Sequence, residues 1–510
     1  MKNKFLLTLL MAMLLGSGTT AAYDFMVGGF AFNITGANTA EVTFEQRFQP
    51  RCPNLSGDIS IPASVVNDGT TYTVTGIGYG AFLGCADLTS VVIPNTVTSI
   101  SYLVFSGCIG LTDVTFGNSV TSIGDEAFYK CSGLTSVSLP NSLAQLGGDA
   151  FSYCSALKTL KIPAGVETIA FNPCSECENL QGITVDRANK NFFDENGVLY
   201  NKDKSILVAY PGGKAGAFVM PNTVTAIGEK AFAGCCGLTS VSLGSSLVSI
   251  GHYAFLDCNG LTSVVVPNSV KSLGIWAFAQ CTDLTSVVLG NSVDAIGSRT
   301  FYNCSNLTSV TISDSVRSIG DEAFFGCAGL TSLTIPNSVS SIGVSAFEDC
   351  SGLITMTIPN SVTSIGSYAF VNCNLVNLYS RIVKPSDVEL GDEVFDYSYL
   401  PTCLLHVPKG KSGLYSNADQ WHAFENIVDD VMPRGDVNAD GEVSIADVTL
   451  LVTLILSGSN NQNSDVNEDG ETGIADVTQL VSILLNNEPK PISQKRHWIP
   501  VPFLLSFCVN

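Results

Sequence analysis

Leu330–Gly352 reads LTSLTIPNSVSSIGVSAFEDCSG, and this unit of 23 residues decides the fold. Its phenylalanine recurs at Phe82, Phe105, Phe128 and Phe151. After a break it returns at Phe232, Phe255, Phe278, Phe301, Phe324, Phe347 and Phe370, each 23 residues from the last. A cysteine stands three residues behind every one of them, from Cys85 to Cys373. A fixed period in this range is the mark of a leucine-rich-repeat solenoid, in which each coil buries its apolar face only against its neighbours. Leu330, Leu333 and Ile335 are expected to face the core from the main strand, followed round the coil by Val339, Ile342, Phe347 and Cys350. Pro336 ends that strand because it lacks an N–H for the ladder. VSSIG gives a short second strand, and SAFEDC a brief helical turn that returns the chain. The expected class is mainly β with short helical turns: a solenoid of 23-residue coils with capping units, plus a small α-helical domain built on two acidic loops.

Outward from the repeat, the chain divides into six parts. Residues 1–22 read as a secretory signal peptide: Lys2 and Lys4, an apolar run from Phe5 to Leu15, then GSGTTAA with a cut after Ala22. The apolar run is too short to span a bilayer, so the mature chain is expected to carry no transmembrane segment and to be secreted or held at the outer cell surface. Residues 23–80 form an N-terminal cap of alternating strands with a hairpin turning at Asp68-Gly69. The solenoid proper covers 81–380. A long unit at 182–221 interrupts its phase, and NFFDENGVLYNKDKSILVAYPGG reads there as two strands about Asn201–Lys204, a hairpin standing off the coil. That hairpin is either a partner contact or a structural bulge. Residues 381–429 form the C-terminal cap, with Trp421 and Phe424 available to plug the core. A small module follows at 435–487, and 488–510 is an irregular tail whose apolar end, RHWIPVPFLLSFCVN, is too short to span a membrane.

Composition narrows the function. Charged residues make up 14% of the chain, against about 25% in an average protein, and the net charge is −21. That balance repels nucleic acid and anionic membranes. The 17 cysteines are unusual for an exported chain, where disulfides are the norm. Twelve of them belong to the repeat: Cys85, Cys108, Cys131, Cys154, Cys177, Cys235, Cys258, Cys281, Cys304, Cys327, Cys350 and Cys373. Side chains stacked coil upon coil point the same way, which is poor geometry for a disulfide dihedral near 90°. Buried thiols filling space are therefore favoured over a disulfide ladder. Cys174 and Cys177 make a C-x-x-C that reads as redox or half a zinc site, or as a ladder cysteine with a neighbour; no second pair follows it. The four histidines never recur with the repeat, and neither G-x-S-x-G nor H-E-x-x-H is present, so no catalytic constellation emerges.

The outward strand column runs Val92, Thr115, Ser138, Lys161, Thr184, Ser242, Val265, Val288, Thr311, Thr334 and Thr357. It has none of the Trp, Tyr or Arg that mark binding hot spots. Good strand propensity accounts for it equally well.

The unit LTSVxIPNSVTSIGxxAFxxC, the GVLYNKDKSILVAYP segment and VPKGKSGLYSNADQW together resemble the BspA-like leucine-rich-repeat family over roughly residues 24–430. That resemblance implies a surface or secreted bacterial protein with a non-enzymatic adhesion or protein-binding role, toward host matrix or bacterial surface proteins; the expectation for the whole chain is a secreted, non-enzymatic binding protein whose solenoid engages a protein or a glycan partner.

The strongest chemical motif is duplicated. GDVNADGEVSIADV begins at Gly435 and SDVNEDGETGIADV at Ser464, 29 residues on. Asp436, Asn438 and Asp440 hold loop positions 1, 3 and 5. Gly441 makes the sharp turn, Glu442 offers its carbonyl, and Asp447 closes at position 12. Asp465, Asn467, Asp469, Gly470, Glu471 and Asp476 repeat the set. Oxygen donors at this spacing suit Ca²⁺, a hard cation taking six to eight oxygens. Residues 435–487 contain nine carboxylates and no Lys or Arg, so the segment repels itself without cations. Each loop opens a helix with apolar residues at Val448, Leu451, Val452 and Ile455, then at Val477, Leu480, Val481 and Leu484, one core face per helix. With one helix per loop and Asp at position 12, the segment resembles a type I dockerin, which implies docking onto a cohesin-type partner. In that family loop positions 10 and 11 help select the partner. Here they are Ile445-Ala446 and Ile474-Ala475, the same pair twice. Thr472 in place of the apolar Val443 departs from the pattern and is expected to weaken the second site or its packing. The bland alternative is an intramolecular stabilising module; the alternative role for the whole chain is a spacer subunit of a cohesin–dockerin-type extracellular assembly.

Overall fold

The computed structural model describes residues 23–44, 55–432, 435–438, 443–461, 463–467 and 471–487. The expected signal peptide and tail lie outside these residues. Two compact units emerge. One runs to Leu405 and returns for Leu414–Ile427; the other takes His406–Gly413 and the chain from Val428 onward.

The first unit is the solenoid, and its parallel ladders keep a 23-residue register. Ser263, Ser286 and Ser309 align across three successive main strands. Ser99 and Ser122 do so in the column of two-residue second strands. Leu330, Leu333, Ile335, Val339, Ile342, Phe347 and Cys350 are all buried, as their spacing implies, and outward-facing Val265 is 64% exposed.

The return segment around each phenylalanine is a chain of tight turns rather than a helical one. Left-handed residues stand two before and two after the ring, as at Glu126 and Lys130 or Trp276 and Gln280. A left-handed residue stops helix propagation. It also turns alternate N–H groups toward the next coil, so that Phe105 donates to Ala127 (2.7 Å) and Phe128 to Ala150 (2.8 Å). The turn side of the coil thus has a hydrogen-bond ladder of its own.

Down the core the phenylalanine rings stack, as in Phe82–Phe105 (5.0 Å between centroids, 1° between planes) and Phe324–Phe347 (5.3 Å, 3°). Contacts of this kind contribute about 0.5–1.5 kcal/mol each beyond area burial. Phe30 closes the column edge-on against Phe82 at the N-terminal end. At the other end Phe395 continues the stack from Phe370, and Trp421 and Phe424 cover Phe395. The N-terminal hairpin turns at Asp68 and Gly69, both left-handed, as expected.

Eleven of the twelve ladder cysteines are buried free thiols. The exception is Cys85, which is disulfide-bonded. Each free ladder thiol has a partner: Cys108 Sγ donates to the Phe82 carbonyl (3.2 Å), and Cys258 Sγ to Phe232 (3.1 Å).

The long unit differs from its sequence reading. It holds three antiparallel strands, Phe192–Glu195, Val198–Asn201 and Ile206–Ala209, because left-handed Asn196 and Gly197 make a second tight turn. It does not stand off as a hairpin: Ile206–Ala209 joins the second-strand ladder beside Ala226–Ile227. Tyr210 then enters the aromatic column, stacked on Phe232 (5.0 Å, 28°). Its carbonyl accepts from Cys235 Sγ (3.7 Å), the place a phenylalanine carbonyl holds elsewhere.

Candidate functional site: a duplicated acidic loop-helix module

In the second unit two helices, Ile445–Ser457 and Ile474–Asn487, each follow one of the acidic loops. Their core is built from pairs offset by 29 residues: Val437 with Val466, and Leu451 with Leu480, all buried. Val448, Leu454, Ile455, Val477 and Ile483 pack around them. Val448, Leu451, Ile455, Val477 and Leu480 face the core as expected, and Val452 and Val481 do not. Val452 is 36% exposed and Val481 40%, while Leu454 and Ile483 take their places against the core.

Asp447 is fully buried and does two jobs at once. Its Oδ1 accepts the N–H of Asn438 (3.0 Å), which folds the loop back on the helix start. Its Oδ2 accepts the N–H of Ser444 (2.8 Å), while the Ser444 hydroxyl accepts from Ala446 (3.1 Å), completing a capping box. Asp476 repeats this on Asn467 (2.9 Å) and Gly473 (2.7 Å). Each carboxylate oxygen holds two lone pairs, and these N–H donors orient both groups without exhausting them. Asp436 is equally buried, and its carbonyl accepts from the Asn463 amide (3.0 Å).

Where Thr472 replaces an apolar residue, the structure supplies a compensation. Thr472 Oγ1 shares a hydrogen bond with Ser464 Oγ (2.8 Å). The matching pair in the first loop is Gly435 and Val443, apolar throughout. A side chain on left-handed Gly435 would meet Leu480 at 2.6 Å. The two loops thus pair positions 0 and 8 by different chemistry.

Among the candidate ligands, the described ones are Asp436, Asn438, Asp447, Asp465, Asn467, Glu471 and Asp476; Asp440, Glu442 and Asp469 lie outside the described residues. Among the described residues no three carboxylates converge on a point. Three wholly buried aspartates in a segment devoid of Lys, Arg and His nonetheless fit a hard divalent cation, since buried charge calls for a partner.

Outside the core, both helices carry the same exposed apolar stripe. Ile445 (79%), Val452 and Leu456 (82%) line the first; Ile474 (78%), Val481 and Leu485 (72%) line the second. The 29-residue repeat makes one stripe the copy of the other.

The solenoid's aromatic surface was missed in the strand column because it lies on the turn side. Tyr253, Trp276, Tyr302 and Phe325 contact one another in series, with centroids 4.9–6.0 Å apart. Arg299 lies over Trp276 and pairs with Glu322. The available signal was the variable positions flanking each conserved phenylalanine. Of the described histidines, His252 accepts the Ile275 N–H, His406 contacts Asp430, and His422 contacts the Ala418 carbonyl. Cys174, Cys177 and Cys235 are buried free thiols.

Stacked coils closed by aromatic caps, with a duplicated acidic loop-helix module, define a leucine-rich-repeat protein bearing a docking-type module. The chain belongs to the BspA type leucine rich repeat region family, matched over residues 75–202, 210–329 and 277–401. Residues 434–485 match the dockerin type I domain. A leucine-rich repeat protein from Eubacterium ventriosum is similar in structure (TM-score 0.57, 28% identity), covering 68% of this chain and 94% of that one. A leucine-rich repeat protein from Bacteroides ovatus (TM-score 0.41, 29% identity) covers 70% and 94%. A leucine rich cell surface protein from Faecalibacterium prausnitzii (TM-score 0.39, 27% identity) covers 71% and 95%. No curated protein matches. Families of this kind are interaction scaffolds, associated with the bacterial surface. No helix among the described residues is long and apolar enough to cross a membrane.

Proposed function

We propose that this is a secreted or surface-held, non-catalytic binding protein. Its solenoid engages a protein partner, and its C-terminal module docks in a Ca²⁺-dependent way onto a cohesin-type partner. In this reading Asp436, Asn438, Asp440, Glu442 and Asp447 hold one Ca²⁺, and Asp465, Asn467, Asp469, Glu471 and Asp476 the other. The cations neutralise buried carboxylates and fix the start of each helix, and so set the apolar stripes for binding.

The observation that carries this reading is the duplicated stripe Ile445–Val452–Leu456 and Ile474–Val481–Leu485. A module with so small a core has no structural use for six exposed apolar side chains, and their symmetry supports two equivalent docking orientations. The test is capture of the full chain on an immobilised cohesin-type domain. Ile445→Asp or Ile474→Asp alone is expected to leave binding near wild type. The double variant is expected to lose at least tenfold, and EDTA to abolish capture. Binding that survives both treatments refutes docking. The second reading, a spacer subunit, is favoured by the hot-spot-free strand column, uncharged but for Lys161, and predicts that the solenoid retains no partner of its own.

A further inference from the structure

The N-terminal coils carry an open groove of about 680 Å³ along their second-strand column. Its lining includes Ser101, Gly124, Gly147 and Ala170, one small residue per coil. The coils approach so closely there that a side chain on Gly147 would meet the Asp125 nitrogen at 2.3 Å. Along the rim Ser99, Ser122, Gln145 and Thr168 stand in parallel register, again one per coil. No hydrogen bond from these four side chains to the protein occurs among the described residues. The neighbouring hydroxyl column behaves differently. Thr98 and Thr121 donate to the carbonyls of the preceding coil, Thr75 (3.1 Å) and Thr98 (3.0 Å).

Two carboxylates and one ring complete the lining. Asp125 spends one oxygen on the Gly148 N–H (2.8 Å) and keeps the other for the groove, and Glu41 lies toward the N-terminal cap. Tyr102, 42% exposed, is braced by Tyr79 with centroids 4.3 Å apart. No Lys, Arg or His lines the groove, so an anion finds no counter-charge. Strands Ser99–Ile100, Ser122–Ile123 and Gln145–Leu146 are each paired on both sides, and the one edge of this sheet at the groove is the two-residue strand Thr168–Ile169, too short a ladder to hold an added peptide strand. What the lining offers is a ladder of uncommitted hydroxyl, amide and carboxylate groups beside a fixed ring. The rungs follow the strand spacing of about 4.8 Å, close to the length of one sugar residue in an extended chain.

We propose that this groove binds a linear, uncharged oligosaccharide lying along the solenoid axis. Its hydroxyls bond Ser99, Ser122, Gln145 and Thr168, the carboxylates of Glu41 and Asp125 accept from paired hydroxyls, and one sugar face rests on Tyr102. The inference rests on the reading of the solenoid as a binding module and is independent of the Ca²⁺ loops.

The test is calorimetric titration of the full chain with cello-, xylo- and manno-oligosaccharides of two to six units, with and without EDTA. Saturable binding is expected for at least one series, strengthening up to about four units, one per rung at the strand spacing, and unchanged by EDTA. Gln145→Ala and Tyr102→Ala are each expected to weaken it at least tenfold with the far-UV spectrum unaltered. Ser122→Trp, which fills the groove, is expected to abolish it. Absence of saturable binding in all three series, binding indifferent to Gln145→Ala and Tyr102→Ala, or displacement of the sugar by oligolysine overturns the proposal. Capture by a cohesin-type domain without sugar binding sinks the groove alone. Sugar binding without capture sinks the docking reading alone.

Discussion

Cys327 Sγ donates to the carbonyl oxygen of Phe301 in the preceding coil, 3.2 Å away, and the backbone of Cys304 donates to that same carbonyl at the same distance. The cysteine is therefore more than a small apolar filler. It is the one side chain of that size that both fills the core and gives a second donor to each phenylalanine carbonyl. Cys327→Ala removes volume and leaves that carbonyl with one donor, and is expected to cost about 1–3 kcal/mol. Cys327→Ser keeps a donor, and is expected to cost less if the shorter hydroxyl reaches the carbonyl. Urea melts of the two variants check the order; alanine proving the milder would contradict the role of the thiol as donor.

Burial pushes the ladder thiols up, Cys304 and Cys350 to about 12, so they hold almost no thiolate near neutrality. Cys236 is exposed. Partial burial raises the Cys236 thiol too, so its advantage is access: with a thiol-reactive chromophore, Cys236 is expected to react first among the described cysteines, and the ladder positions only at the rate of unfolding. In denaturant without reductant at least 14 thiols should appear. A count far below that would restore the disulfide ladder.

Burial, followed by the nearby charges of Asp257, Glu178 and Asp149, raises the Glu176 carboxyl from 4.5 to about 8 against the opposing pull of Lys230. The folded state thus holds this proton more tightly than the unfolded one. The associated stability is fully present below pH 4.5 and is lost as pH rises toward 8. Glu176→Gln should match wild type near pH 5 and melt higher than it near pH 8. Equal melting temperatures at both pH values would show that Glu176 ionises normally.

Trp421 is fully buried at the C-terminal end of the ring column, yet its Nε1 has no hydrogen-bond partner among the described residues. Its contribution is therefore apolar. Trp421→Ala is expected to cost about 3–5 kcal/mol, whereas Trp421→Phe, which removes less volume and no hydrogen bond, should cost clearly less. Thermal melts distinguish these; a severe loss in the phenylalanine variant would mean that the indole nitrogen matters.

Asp447 closes the first acidic loop and caps its helix, so its replacement has two effects. Asp447→Asn is expected to lower Ca²⁺ affinity by at least about tenfold and to reduce helicity in low Ca²⁺. Chelation of wild type should produce a similar helicity loss, reversed on adding Ca²⁺. Circular dichroism across a Ca²⁺ titration checks both, and a signal indifferent to the metal would leave the loops a purely structural device.

By itself the sequence determined the solenoid, its inward residues and the duplicated acidic loops, because a 23-residue period leaves each coil a single way to bury its Leu, Ile, Phe and Cys positions. Other features depended on what lies beside a residue in the neighbouring coil or helix. Periodicity along one chain does not report that. The left-handed residues flanking each phenylalanine, which replace a helical turn by a hydrogen-bond ladder, follow from the demand of the next coil for N–H donors. Tyr210 entered the ring column although it stands out of phase, since a three-stranded insertion delivers it there. Val452 and Val481 satisfied the core pattern of their helices and still face outward, because a two-helix core has room for only one side of each. The groove beside Tyr102, likewise, exists only because successive coils bring its single residues into register.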